Sequence, residues 1–226
     1  MYIDSNKSVT DEEINYIRDA VLNRKKVVFT SSALTDAQRD KFLKILQLFL
    51  EECNQQDLYN YLSYCLLELL DNANRANAKR VYFQENKLDI NNEADYKIGM
   101  PKFKEMLADR SNDFLKKLNS SELTVRLLLT VEDDITIQVT NNTKITDVEL
   151  NRINEKINKT RTYSSLQDAM GDIDQTEGCG FGIISIILML KKINPKSQCL
   201  NFTITDTETI ATIEVPINSF ADLTEI

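Results

Sequence analysis

Residues 57–78, DLYNYLSYCLLELLDNANRANA, form an unbroken helical pattern that is apolar over most of its circumference. A surface helix keeps an apolar stripe on one side, whereas one that is apolar nearly all round must be surrounded. The rest of the chain must therefore pack on several sides of this helix, and 42% hydrophobic residues against 27% charged suffice for a real core. Within the run, Glu68, Asn72 and Arg75 recur at i, i+4 and i+7 and so share one face. An unpaired carboxylate is costly to bury, so Glu68 in such a setting calls for a cation, a metal or a water network. The plainer alternative is a polar edge where the helix surfaces.

The flanking segments supply the covering. Thr10–Asn23 reads as a capped helix, KKVVFTSS as a strand ending near Ser31, and a second helix starts near Thr35. Its apolar residues Phe42, Ile45, Leu46, Phe49, Leu50 and Cys53 fall on one face. RVYFQ (80–84) reads as a strand, and an amphipathic helix is expected near 101–118. Strands are expected at 123–131 and 135–141, a helix at 146–158, another from Gly182 through Lys192, and a hairpin at 199–205 and 209–217. Strands gather late in this order, which favours an α+β layer with helices on one sheet face over a doubly wound βαβ fold.

Several function classes drop out on composition. The chain has no histidine, which excludes Ser-His-Asp and Cys-His nucleophile systems and phosphorylation on a histidine of its own. Cys53, Cys65, Cys179 and Cys199 show no metal-ligand spacing and read as small buried hydrophobes. A net charge of −8 argues against a global attraction to nucleic acid or an anionic membrane. The N-terminus lacks a signal-peptide core, and the longest apolar run, 181–190, is too short to span a bilayer. A cytoplasmic protein without membrane insertion is the expectation.

Only five glycines occur, and three of them, Gly178, Gly180 and Gly182, alternate just before an apolar helical run. Backbone N–H groups freed of side chains at a helix N-terminus can cradle phosphate. A tight turn before a core helix is the plain alternative. A dinucleotide fingerprint is ruled out, because the preceding GDIDQTE is not a strand.

Taken in order, these stretches resemble the ATP-binding module shared by DNA gyrase B, heat-shock-90 chaperones, MutL, sensor histidine kinases and anti-sigma serine kinases. The likeness covers about 58–217. ELLDNANRANAKRVYF resembles the family's Asn-containing helix and VTNNTKIT (139–146) stands where the adenine motif belongs. GCGFGI (178–183) is similar to the glycine box and ATIEVPI (211–217) to the closing strand. The resemblance implies a two-layer α/β sandwich of the Bergerat type, a mixed sheet with helices on one face. The ATP-binding domain would run over 55–226, behind a helical extension at 1–54, with an inserted helix near 86–121 and a lid near 146–177.

It also implies roles. Asn72 would ligate Mg²⁺, Glu68 would orient or deprotonate the group attacking the γ-phosphate, and Arg75 would contact phosphate. Gly178, Cys179, Gly180, Phe181 and Gly182 would form the phosphate loop. Asn141 stands where the family has Asp, with Thr143 at the first glycine position; an Asn carbonyl can still accept from the adenine amino group. Thr212 would join the adenine network, and Arg152, Lys156, Lys159 and Arg161 in the lid would close on the γ-phosphate.

Mg²⁺-dependent ATP binding with phosphoryl transfer to a partner protein is the expected function, with a homodimer left open. One rival is an ATP-hydrolysing conformational switch, against which stands the end of the chain about nine residues past the closing strand. The other is a nucleotide-sensing or partner-binding module without catalysis.

Overall fold

The computed structural model describes residues 1, 8–108, 118–160, 162–163, 165–170, 181–194 and 199–217. Five strands, β1 (Val27–Ser31), β2 (Val125–Val131), β3 (Asp134–Asn141), β4 (Leu200–Ile204) and β5 (Thr209–Pro216), form one sheet in the order β1-β2-β3-β5-β4. Every pairing is antiparallel, so the expected mixed sheet is replaced by an antiparallel one. Period-2 alternation gives the sheet one fully buried face, carried by Val27, Phe29, Val125, Leu127, Leu129, Ile135, Ile137, Val139, Ile213 and Val215.

Helices α1 (Asp11–Leu22), α2 (Asp36–Glu52), α3 (Tyr59–Glu85) and α7 (Phe181–Ile193) contribute to the core that covers this face. The fold is therefore α+β, with an antiparallel sheet under a helical layer. Capping boxes start the first two helices, Thr10 with Glu13 and Thr35 with Gln38. A buried Lys41–Glu13 ion pair of 2.9 Å ties α2 to α1. Residues 1–54, read as an extension, thus supply an edge strand of the sheet together with Phe42 and Phe49 of the same core.

Helix α3 spans 27 residues, about 40 Å at 1.5 Å per residue, and runs through RVYFQ, which is helix rather than the expected strand. Its β-branched and aromatic residues suit a strand locally, but Tyr82 and Phe83 bury against Met100 and Phe103 of α4 (Glu93–Ala108). Tertiary packing has overridden local preference. That second, smaller core includes a Tyr82–Phe103 ring contact of 5.6 Å and a Phe83–Tyr96 contact of 5.9 Å. The amphipathic helix expected near 101–118 begins earlier, at Glu93, and residues 109–117 lie outside the described residues. Helices α5 (Asp147–Thr160) and α6 (Leu166–Met170) occupy the stretch read as a lid. No helix among the described residues is long and apolar enough to cross a membrane.

Candidate functional site

A cavity of about 590 Å³ opens between the second half of α3, helices α4 and α5, the start of α7 and the ends of β3, β4 and β5. Its walls combine two chemistries. Leu69, Met100, Phe103, Ile153 and Phe202 are among the apolar residues, and six cations, Arg75, Lys79, Arg80, Lys104, Arg152 and Lys156, join them. Among the described residues, Glu149 is the one carboxylate in the lining. A surplus of cations in a chain of net charge −8 marks a site for an anion. The apolar walls add room for a flat or hydrophobic moiety.

Two of the cations share the carboxylate of Glu149. Lys79 Nζ lies 2.8 Å from Glu149 Oε1 and Arg80 3.0 Å from Glu149 Oε2, with Lys79 and Glu149 buried and Arg80 partly so. Thr146 caps α5 and donates from its amide and hydroxyl to the same carboxylate. Burial pushes the Glu149 carboxyl upward, but Lys79, Arg80 and the hydrogen bonds from Lys79 and the Thr146 amide outweigh it and hold it at about 2. This cluster ties α5 to α3. Arg152 extends the tie to α4, donating to the Tyr96 hydroxyl at 3.1 Å and lying over its ring at 5.6 Å.

The polar stripe of α3 meets the first turn of α7 at the edge of the cavity. A methyl group added to Gly182 would stand 2.3 Å from Glu68 Oε2 and 3.7 Å from Asn72 Nδ2. Gly182, Asn72 and Arg75 line the cavity, and Glu68 sits behind Gly182 without lining it. Arg75 donates to Asn72 Oδ1 at 2.9 Å. The Glu68 carboxyl is raised above its ordinary value, chiefly by burial; the Arg75 charge opposes the shift and Asp71 adds to it.

The Glu68 carboxylate thus occupies the space that a side chain at 182 would take. Gly182→Ala is expected to displace the flexible end of Glu68 while leaving the fold within about 1 kcal/mol of the parent, since alanine is the better helix former by a similar amount. Thermal unfolding together with ligand titration checks this: a stable variant with altered ligand response is the expected pair of results.

At the far end, Asn141 lines the cavity from the last position of β3 and is buried. Thr212 does not join it. Its hydroxyl accepts from Gln138 at 3.3 Å on the opposite face of the sheet, and Thr209 and Ala211 line the cavity instead. The motif match placed Thr212 one residue out of phase with the alternation of β5. Of the lid cations, Arg152 and Lys156 line the cavity and Lys159 is exposed away from it. Gly178, Cys179, Gly180 and Arg161 lie outside the described residues, as does the Phe181 side chain.

The sequence reading missed Lys79, Arg80, Lys104 and Glu149. The signal available for the last was the Thr-x-x-Glu spacing of Thr146 and Glu149, a capping box at the start of α5.

A protein of Treponema pallidum (strain Nichols) described as uncharacterized is 34% identical over 204 residues, which cover 89% of this chain. The chain spans about 40% of that relative's length. No protein-family model matches the chain, and no solved structure gives a significant match.

Proposed function

We propose that the chain binds Mg²⁺-ATP and passes the γ-phosphate to a partner protein. The cavity carries this reading: a cation-rich, partly apolar chamber bounded by Asn72, Arg75 and Gly182 at one end and Asn141 at the other. Asn72 and Arg75 of α3 meet Gly182 of α7 across more than 100 positions of sequence, an arrangement suited to a phosphate end, and Asn141 at the other end is suited to a base. Arg75, Lys104, Arg152 and Lys156 offer charge to a polyphosphate.

Among the described residues no cluster of three His, Cys, Asp or Glu side chains converges on a point. Magnesium does not need one, because it favours few protein oxygens and takes the rest from water and phosphate. The Asn72 amide oxygen would fit that habit once Arg75 moved from it onto phosphate. When bound, the ion would neutralise charge on the phosphates. Glu68, raised by burial, suits a general base that accepts a proton from the attacking hydroxyl.

Titration calorimetry with ATP and ADP, with and without Mg²⁺, tests the reading. ATP should bind, Mg²⁺ should tighten it, and Asn72→Ala should remove the Mg²⁺ effect while leaving metal-free binding within about threefold. Absence of nucleotide binding at millimolar concentration would sink it. A second reading, a nucleotide sensor without phosphotransfer, is favoured by the Arg75 bond to Asn72 Oδ1, which occupies the oxygen the metal would use. Phosphate transfer to proteins of the source organism, or its lack in a chain that binds ATP, separates the two.

A further inference from the structure

We propose that Asn77 and Thr143 are specificity-determining residues that make the base end of the cavity accept an amino group and reject a keto oxygen. This rests on the nucleotide reading above.

A backbone carbonyl can only accept a hydrogen bond. Asn77, fully buried on α3, donates from Nδ2 to the Thr124 carbonyl at 3.1 Å. That bond fixes its amide, so Oδ1 faces the other way as an acceptor. The Thr143 hydroxyl donates to this Oδ1 at 3.4 Å, leaving its oxygen to accept from Asn141 Nδ2 at 2.7 Å. Asn141 Nδ2 also points at Asn77 Oδ1, at 3.5 Å. A second bond holds the loop, from the Thr209 hydroxyl to the Thr143 carbonyl at 2.8 Å.

Direction therefore passes from Thr124 through Asn77 and Thr143 to Asn141. An isolated Asn could turn either end of its amide to a ligand. Here the NH₂ is committed to Thr143, and Oδ1, which takes no hydrogen bond from the described residues, is the end left for the cavity. Flipping the amide would set its oxygen against Asn77 Oδ1, and the Thr143 hydroxyl, drawn round to donate to that oxygen, would give up its bond to Asn77. The site offers an acceptor, suited to the exocyclic amino group of adenine and opposed to the oxygen that guanine carries at that position. An unpaired buried acceptor is penalised more than a good hydrogen bond is rewarded, so the device acts mainly by exclusion.

The test measures binding of ATP, GTP and inorganic tripolyphosphate to the full chain and to Thr143→Val, Thr143→Ala and Thr143→Ser. The parent should bind ATP at least about tenfold more tightly than GTP, the size of one well-placed hydrogen bond. Valine and alanine, which free the Asn141 amide to turn, should reduce that ratio to within about threefold, and serine, which keeps the hydroxyl, should preserve it. Tripolyphosphate affinity should not move in any of the variants.

If ATP and GTP bind alike in the parent, both more tightly than tripolyphosphate, or if the ratio survives loss of the hydroxyl, the relay is wrong while the nucleotide site stands. If neither nucleotide outbinds tripolyphosphate, the base subsite does not exist and the nucleotide reading falls with it.

Discussion

Glu149→Gln is expected to cost the fold about 3 kcal/mol at neutral pH, a cost that should fade on acidification. The carboxyl sits at about 2 against an ordinary 4.5. At ~1.4 kcal/mol per pKa unit, that gap corresponds to roughly 3 kcal/mol of stabilisation. Because the folded-state pKa is lowered, the stabilisation is fully present above about 4.5 and is lost as pH falls through about 2. Removing the charge also takes the carboxylate from the buried Lys79 and the partly buried Arg80, the costly way to break such a cluster.

Urea unfolding of parent and variant at pH 7 and near pH 2 checks this, with curves expected to separate at the first and converge at the second. A difference below about 1 kcal/mol at pH 7 would show that α5 is held by other contacts. Tripolyphosphate should recover part of the loss in the variant, since an anion in the cavity can take the place of the missing carboxylate.

The second large effect concerns chemistry. If the chain transfers phosphate, Glu68→Gln should lower turnover by about 10²–10⁴-fold while leaving ATP affinity within about threefold, the pattern of a proton acceptor lost without a binding contact. The pH profile adds a sign. A base works deprotonated, and burial raises the Glu68 carboxyl above its ordinary value, so the parent's rate should climb with pH through a range above that of an exposed glutamate. The glutamine variant should lose that limb. A variant with turnover within about threefold of the parent would assign Glu68 to packing against Gly182 alone.

Much of the fold can be read from periodicity. The three-four spacing marked α1, α2 and α3, the strand alternation marked β2, β3 and the final hairpin, and the Thr10 and Thr35 caps placed two helix starts within a residue. RVYFQ failed because its three β-branched and aromatic residues, Val81, Tyr82 and Phe83, are equally at home in a strand or on a helix packed by a second helix. The polar stripe Glu68, Asn72, Arg75 was legible as one face. Its meeting with Gly182 was suggested by family likeness alone, since neither segment carries local information about the other.

By itself, then, the sequence determined most of the helices and strands, RVYFQ excepted, that α3 must be buried, and that polar residues within it need partners. Those properties follow from local spacing and from the cost of placing charge in an apolar setting. Only the tertiary structure decided that Thr212 turns away from the cavity, that Lys79 and Arg80 share Glu149, and that Asn141 is held by Asn77 and Thr143. Each depends on contacts between residues about 64 or more positions apart, or on the phase of a strand against its neighbours. A one-residue slip of β5 would exchange Thr212 for Ala211 at the cavity wall without changing a letter of its motif.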